Sequence, residues 1–551
     1  MAPNLLLGPL LRYTGATDAT VWVETGAACE VCVTTDGTAH SSRTFCVEGH
    51  HYGLVTLTGL EPGSSYEYTV ELDGERVWPA ADYDFPTPRI RTISPDGGLS
   101  LVFGSCRVSA PHEPQRTQGG NDDGHGRDAL HALAMRTMDE PPERWPDALL
   151  LLGDQIYADM VSRGASEFIR SRRDTGKGPG EEVADFEEYT RLYWDSWRDP
   201  AIRWLLSTVP SAMIFDDHDV HDDWNTSETW VNEMRRQQWW EERIVGAFMS
   251  YWVYQHLGNL SPKELDENDL FNKAKESKDA TRVLREFAYE SDREVAGTRW
   301  SYHRDFGGVR LIVMDSRAGR VLTEGRRSML DAEEWGWIQA TATGDFDHLL
   351  FGASLPFLLS PGLHYLEAWN EAVCRGAWGR VAAGIGERIR QLVDLEHWAA
   401  FQTSFGDLAD LLRSVARGER SEDGPPASVI LLSGDVHHGY VAEADFGDDA
   451  RSPVYQAVSS PMRNQLGTPL RLALGAGWKG YGARIGKTLA HLAGVGDPAV
   501  KWRLRHKEPW FDNHVSTLKL HGRGATLKVE GVPPKNGGEP GLRHIFEHRL
   551  A

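Results

Sequence analysis

Hydrophobic and polar positions follow two different rhythms along the chain. From Leu5 to about Arg91 they alternate every second residue in short runs, as at 19–24, 52–58 and 66–72, with turn signals such as Asp73-Gly74 between them. Period-two alternation broken by turns predicts strands of a β-sandwich. From Leu99 onward, continuous apolar runs appear at 101–103, 147–152, 212–215, 309–314, 348–351 and 428–432. Such runs are expected of strands covered on both faces. Leu130, Leu133 and Ala134 share one face of a helix predicted over 127–138, which makes a β-α-β unit with its flanking runs. Phe186, Tyr189, Tyr193 and Trp197, and then Trp239, Trp240, Phe248 and Trp252, recur at helical spacing and predict core-facing helices. The charged stretch 261–292 reads as solvated helix or an insertion, and 514–520 with 525–530 flank His521-Gly-Arg-Gly524 as a hairpin.

Length and composition place these elements in two folded domains. The change of rhythm puts the boundary so that 1–95 form an all-β sandwich and 96–551 an α/β domain. The segment Leu60-Glu-Pro-Gly-Ser-Ser-Tyr66 resembles the tyrosine-corner segment of fibronectin type III domains, which implies an immunoglobulin/fibronectin III-like sandwich. A chain of 551 residues with 40% hydrophobic and 25% charged residues has the balance of a folded protein with a sizeable core.

Charge narrows the function. A net charge of −22 repels polyanions and argues against general nucleic-acid binding. It is compatible with a phosphate-bearing substrate, because clustered carboxylates attract the cations that invert the local field. Five cysteines make no disulfide framework, and the Cys29/Cys32 pair reads as part of a strand. Gly176 to Gly180 reads as a loop that rims a cleft, without the residue order of a phosphate-binding loop. No stretch is long and apolar enough for a membrane span, and MAPNLLLGPLLRYTG lacks the basic start and apolar core of a secretory signal, so a cytoplasmic location is expected.

The chemistry gathers where apolar runs end. One leads into Gly104-Ser-Cys106, another into Gly153-Asp-Gln-Ile-Tyr-Ala-Asp159, a third into Asp216-Asp-His-Asp219 and a late one into Gly434-Asp-Val-His-His438. In open α/β sheets, sites form outside the carboxyl ends of strands, where loops converge. Clustered carboxylates without cations would repel one another and pay heavily for desolvation, so recurrence of all four points to one metal site. Glycine before two of the ligand pairs permits tight turns and close approach.

These four motifs together resemble the motif set of PhoD-type alkaline phosphatases, a branch of the calcineurin-like metallophosphoesterases. The resemblance spans nearly the whole chain and includes the segment Trp510-Phe-Asp-Asn513. It implies an α/β metallophosphoesterase domain with a central β-sandwich flanked by helices. It further implies that Asp154 bridges metals, that Cys106 and Tyr157 bind iron as thiolate and phenolate, and that Asp217, Asp435 and His437 complete the cluster. Calcium beside the iron is implied as well, with manganese an alternative for the carboxylate positions.

The reaction expected is hydrolysis of phosphate esters by metal-activated water. His218 is the candidate to protonate the leaving group, with Asp219 to orient it, and Arg107 and Arg317 are candidates to hold substrate phosphate. Asp315 reads as structural, and His364 and His438 lie near strand ends as further candidates. Two alternatives stand beside this reading: a phospholipase D-like or nucleotide-directed phosphodiesterase on the same site, and a binding adaptor with a degenerate phosphatase domain. The partner is a phosphate-ester small molecule. Substrate preference and oligomeric state are open.

Overall fold

The computed structural model describes residues 3–110, 125–533 and 541–551. Its N-terminal part is β-rich. Strands Leu5–Thr14, Asp18–Thr25, His50–Thr58 and Phe45–Val47 lie side by side in that order, and Thr38–Arg43, Glu30–Thr35, Ser65–Leu72 and Glu75–Trp78 form a second sheet. Val21, Val23, Val31, Val33, Val55 and Val70 belong to one apolar cluster of this region. Cys32 sits on the Glu30–Thr35 strand, Cys29 directly precedes it, and both thiols are free. At the entry to Ser65–Leu72, the Tyr66 hydroxyl accepts a hydrogen bond from the Glu61 backbone N–H at 2.7 Å.

Alternation along Asp18–Thr25 normally marks a half-buried strand, yet here both faces are covered. Trp22, Tyr52 and Leu54 join the cluster that also holds Trp204 and Tyr254 of the following domain. Its polar residues are therefore buried with partners: Glu24 accepts from the Tyr254 hydroxyl at 3.0 Å and pairs with His50 at 2.9 Å. The Arg12 guanidinium is wholly buried and donates to the carbonyls of Ser211, Tyr254 and Gln255.

The α/β domain is built on two mixed sheets flanked by helices. In the first, Ser211–Ile214, Ala148–Leu152 and Leu99–Gly104 run parallel, and His514–His521, Gly524–Gly531 and Arg543–Arg549 continue it antiparallel. In the second, Val309–Met314, His348–Ala353, Ser428–Ser433 and Val454–Val458 are parallel, bounded by the antiparallel Tyr302–Phe306, Tyr440–Asp445 and Lys501–Leu504. Period two sorts the side chains of the second sheet. Leu311, Val313, Leu350, Ile430 and Leu432 share a cluster with Leu150 and Leu152 of the first sheet, whereas Ile312, Met314, Leu349, Phe351 and Leu431 cluster with Leu408 and Leu412 of the helix Gln402–Arg417. Burial on both sides is what the continuous apolar runs encode.

The helix predicted over 127–138 is Ala129–Asp139, capped by the Asp128 carboxylate on the N–H groups of Leu130 and His131. The aromatic spacings become core-facing helices, Phe186–Trp197 and Trp240–Ser250, the latter continuing as a π-helical segment Tyr251–His256. The charged stretch 261–292 folds into Pro262–Asp266, Asp269–Glu276 and Thr281–Arg293, which bury Leu265, Phe271, Ala274, Leu284 and Ala288. No helix among the described residues is long and apolar enough to cross a membrane.

Candidate metal centre

Three neighbouring parallel strands of the first sheet end together. Leu99–Gly104 delivers Cys106, Ala148–Leu152 delivers Asp154, and Ser211–Ile214 delivers Asp216 and Asp217. From the second sheet, Ser428–Ser433 delivers Asp435 and His437, and Val309–Met314 delivers Arg317. Four of these residues leave their strands in the left-handed backbone region: Cys106 (φ 54°), Asp154 (52°), Asp435 (65°) and His437 (50°). That conformation disfavours residues with a Cβ and persists only where the surroundings enforce it, as at functional sites. The preceding glycines provide the space. A Cβ on Gly153 would lie 2.6 Å from that of Asp216, and one on Gly434 would lie 1.9 Å from Ser105 Oγ.

The result is a pair of donor triads with one member in common. Donor atoms of Cys106, Asp154 and His437 lie within 4.8 Å of one another, and so do those of Asp154, Asp216 and Asp217. A third group, Asp159, His218 and Asp222, meets the same spacing at the more exposed edge. Tyr157 joins the first triad through its hydroxyl, which donates to Asp154 Oδ2 at 3.1 Å and accepts from Asn464 Nδ2 at 3.1 Å. His437 Nδ1 donates to the Asn464 carbonyl at 2.9 Å, which leaves Nε2 free as a ligand. Ser460 donates to the Cys106 sulfur at 3.1 Å.

The electrostatics call for cations here. Burial, then the charges of Asp217 and Asp219, push the Asp154 carboxyl far above the usual range, although His218 opposes this. Burial pushes Asp216 up as well, against the pull of Arg317. Burial and the nearby carboxylates Asp154 and Asp435 raise the Cys106 thiol, and burial with Asp154 raises the Tyr157 phenol. Asp154 Oδ1 and Asp216 Oδ2 are buried without a hydrogen-bond partner. A bound cation would satisfy those oxygens and favour the deprotonated forms, so the residues fit a metal group. Thiolate, phenolate, imidazole and carboxylate in one place suit two unlike ions.

Asp435 stands at the side of this arrangement. Burial disfavours its charge, but His397, whose Nε2 is 3.1 Å from Oδ2, and Arg317 at 3.5 Å outweigh that and hold its carboxyl well below the usual range. Burial also disfavours charge on His397, yet Glu367 at 2.7 Å and Asp435 keep it protonated. Arg317 is wholly buried among Asp216, Asp217, Glu396 and Asp435, contacting Glu396 at 2.5 Å and Asp217 at 3.1 Å. Its guanidinium is occupied by protein carboxylates. Arg107 is occupied too, by Asp128 at 2.8 Å and the Ser196 carbonyl at 2.9 Å, and so anchors the cap of Ala129–Asp139.

His218 rests against the Tyr157 ring, centroids 4.6 Å apart, with Nδ1 2.9 Å from both oxygens of Asp159. Burial opposes protonation, but Asp159 and Asp217 overcome it and raise the imidazole well above its ordinary value. Asp219 has other partners. Its carboxylate accepts from the backbone N–H groups of Asp154 (3.1 Å) and Asp216 (2.9 Å) and from Gln255 (3.1 Å), splicing two ligand loops together. Asp159, not Asp219, orients His218.

Asp315 caps the turn 317–319 by accepting three backbone N–H bonds. His364 packs against Tyr365, Phe405 and Trp502, away from the triads, and burial pushes it down to about 3. His438 stacks on Tyr440 and Phe511. Asn513, from the Trp510–Asn513 segment, accepts from Asn464 N–H at 3.2 Å and donates to the His125 and Arg127 carbonyls at 2.8 Å. Sequence reasoning assigned no role to Asp159 and Asp216, although both lie inside recognised motifs. Glu367, His397, Ser460 and Asn464 gave no motif signal.

Residues 128–289 match the family model for PhoD-like phosphatase, and residues 2–90 match that of a domain of unknown function, DUF7800. The first match covers Asp154, Tyr157, Asp217 and His218; Cys106, Asp435 and His437 lie outside it. No curated protein matches the chain. Among solved structures, that of PhoD aligns over 99% of this chain and 90% of its own at 11% identity, with a TM-score of 0.59. The purple acid phosphatase PPD1 from yellow lupin (Lupinus luteus) seeds aligns over 99% and 74% at 11% identity, with a TM-score of 0.49. In sequence over 128–289 the chain resembles the PhoD-like phosphatases, and over nearly its whole length it shares the fold of the PhoD structure.

Proposed function

We propose that the chain is a metal-dependent phosphoric ester hydrolase acting on phosphomonoesters, phosphodiesters or both. The observation that carries this is the sharing of Asp154 between two buried donor triads, with one of its oxygens unpartnered. In the finer reading, Cys106, Tyr157 and His437 would hold iron, Asp216, Asp217 and Asp435 would hold calcium or manganese, and Asp154 would serve both. When bound, such ions activate water and neutralise the phosphoryl oxygens.

The chain's own residues supply the rest. His218, held protonated and oriented by Asp159, gives its Nε2 proton to the leaving oxygen. Arg317 spaces Asp216, Asp217 and Asp435 so that their negative charges stay together. His397 fixes Asp435 from the opposite side. We also read residues 1–95 as one immunoglobulin/fibronectin III-like unit, on the support of the Tyr66 hydroxyl bond to the backbone five residues upstream.

The test is metal analysis of purified protein together with hydrolysis of a monoester and diester panel. Stoichiometric iron that is lost in Cys106→Ala and Tyr157→Phe is the expected result. Iron-free protein with full activity would remove iron from the proposal, and a metal-loaded protein that cleaves no phosphoester would overturn the function.

A further inference from the structure

Large apolar side chains are exposed mainly in one part of this molecule. Ten of the fourteen that are exposed among the described residues fall within 378–393 and 470–492. They lie in and beside three helices, Arg380–Leu392, Thr468–Gly477 and Gly480–Leu492. Two of these repeat the same arrangement. Val381, Ile385 and Leu392 stand at i, i+4 and i+11 of one helix, and Tyr481, Ile485 and Leu492 at the same steps of the other, with exposures from 56 to 84%. In each helix the next residue after the exposed isoleucine is a buried glycine that packs onto the helix Pro361–Cys374: Gly386 against Val373 and Cys374, Gly486 against Gly362 and Tyr365. Glycine thus seats the inner face, and the apolar stripe is turned outward. Contiguous exposed apolar surface of this kind marks an interaction site.

Charge indicates what covers it. The segments 375–393 and 466–493 contain eight lysines and arginines and a single acidic residue, Glu387, in a chain of net charge −22. Lys479, Lys487 and Arg471 make surface ion pairs with Glu508, Asp497 and Asp512, which salt and competing anions displace readily. Arg375, Arg380, Arg388 and Arg484 are exposed, and no ion pair is described for any of them. Amphipathic helices with outward aliphatic residues and flanking arginines have the chemistry of an interfacial membrane contact, where apolar side chains enter the acyl boundary and cations meet anionic headgroups. We propose that this helical face docks on an anionic bilayer surface, without spanning it. The two segments also lead directly to the metal centre: Leu392 is followed by the 394–397 turn that carries Glu396 and His397, and Asn464 closely precedes Thr468–Gly477.

The proposal is independent of the hydrolase reading, and its test does not require turnover. Full-length protein is sedimented with vesicles of phosphatidylcholine alone and of equal parts phosphatidylcholine and phosphatidylglycerol. Binding to the anionic vesicles only, weakened by salt, is expected. The quadruple variant Ile385→Ser, Leu392→Ser, Ile485→Ser, Leu492→Ser and the triple variant Arg380→Glu, Arg388→Glu, Arg484→Glu should each lose at least about tenfold in apparent affinity. Circular dichroism of both variants should match the parent, because the substituted side chains lie outside the core. No sedimentation of the parent, or equal sedimentation of parent and variants, would overturn the proposal. So would a parent dimer in size exclusion that the serine variant abolishes while vesicle binding is absent, since the face would then meet a second copy of the chain.

Discussion

At the scale of single residues, the centre depends on where small groups permit charged ones to meet. Gly434 is the sharpest instance: the Gly434→Ala methyl would lie 2.4 Å from Ser105 Cβ, too close for a hydroxyl rotation to relieve. That substitution should cost about 1–3 kcal/mol by overpacking and lower bound metal, read by chemical denaturation and metal analysis on the same sample. His218 differs, because its imidazole is held by Asp159 and packs on the Tyr157 ring, outside the two buried donor triads. His218→Ala should lower kcat by about 10²–10⁴-fold with metal content retained, and Asp159→Asn should lower kcat to a lesser degree with KM nearly unchanged. Unaltered turnover in His218→Ala would take it out of the mechanism. The clustered donor residues were legible in sequence because each follows an apolar run, and two follow glycine. Their supports were not. His397 reaches Asp435 from a loop and is itself held by Glu367 of a helix, neither with an apolar strand leading into it, and Asn464 lies in a segment whose pattern is merely polar.

At the scale of elements, apolar rhythm predicted strand and helix identity well wherever both faces or a full stripe were buried. It was weaker for 261–292, where the helices bury only two or three residues each and charge dominates the composition. It also could not show that a sandwich strand would be covered on its second face, since Thr20 and Glu24 are polar and both are buried. One pair of elements has a pH signature. His50 on His50–Thr58 lies between Glu24 and Glu187 of the helix Phe186–Trp197, at 2.9 and 2.7 Å. Burial disfavours its charge, but the two carboxylates outweigh that and raise it from 6.5 to about 9. A raised folded-state value stabilises fully below the unfolded value and is lost as pH rises through the folded one. The parent should therefore exceed His50→Gln in unfolding free energy by about 2–3 kcal/mol at about pH 6, with the difference gone by about pH 10. A difference that does not change with pH would exclude this ion-pair account.

At the scale of the whole molecule, the sandwich and the α/β domain share one apolar cluster, although the change in sequence rhythm near residue 95 suggests separable parts. A fragment of residues 96–551 would expose Tyr254, which Trp22 and Tyr52 now cover, and would strip Trp204 of the Pro86 carbonyl that its indole N–H donates to. It should bind a hydrophobic dye and aggregate where the full chain does not. Metal loss acts more locally. Chelation should lower the melting temperature, as expected when a ligand of the native state is withdrawn, and should speed hydrogen exchange first at 104–106, 153–157 and 434–437, where left-handed backbone is held in place, and at 216–219 beside them.

Arg12 adds a constraint of timing. Its acceptors lie 199, 242 and 243 residues further along the chain. While the protein is being made, the opening strand must wait for roughly half the polypeptide before that guanidinium has anywhere dry to go. At about 5–20 residues per second, that is an interval of roughly 10–50 seconds with an apolar sheet face uncovered. Slowing translation across the first half should therefore lower soluble yield more than slowing it across the second.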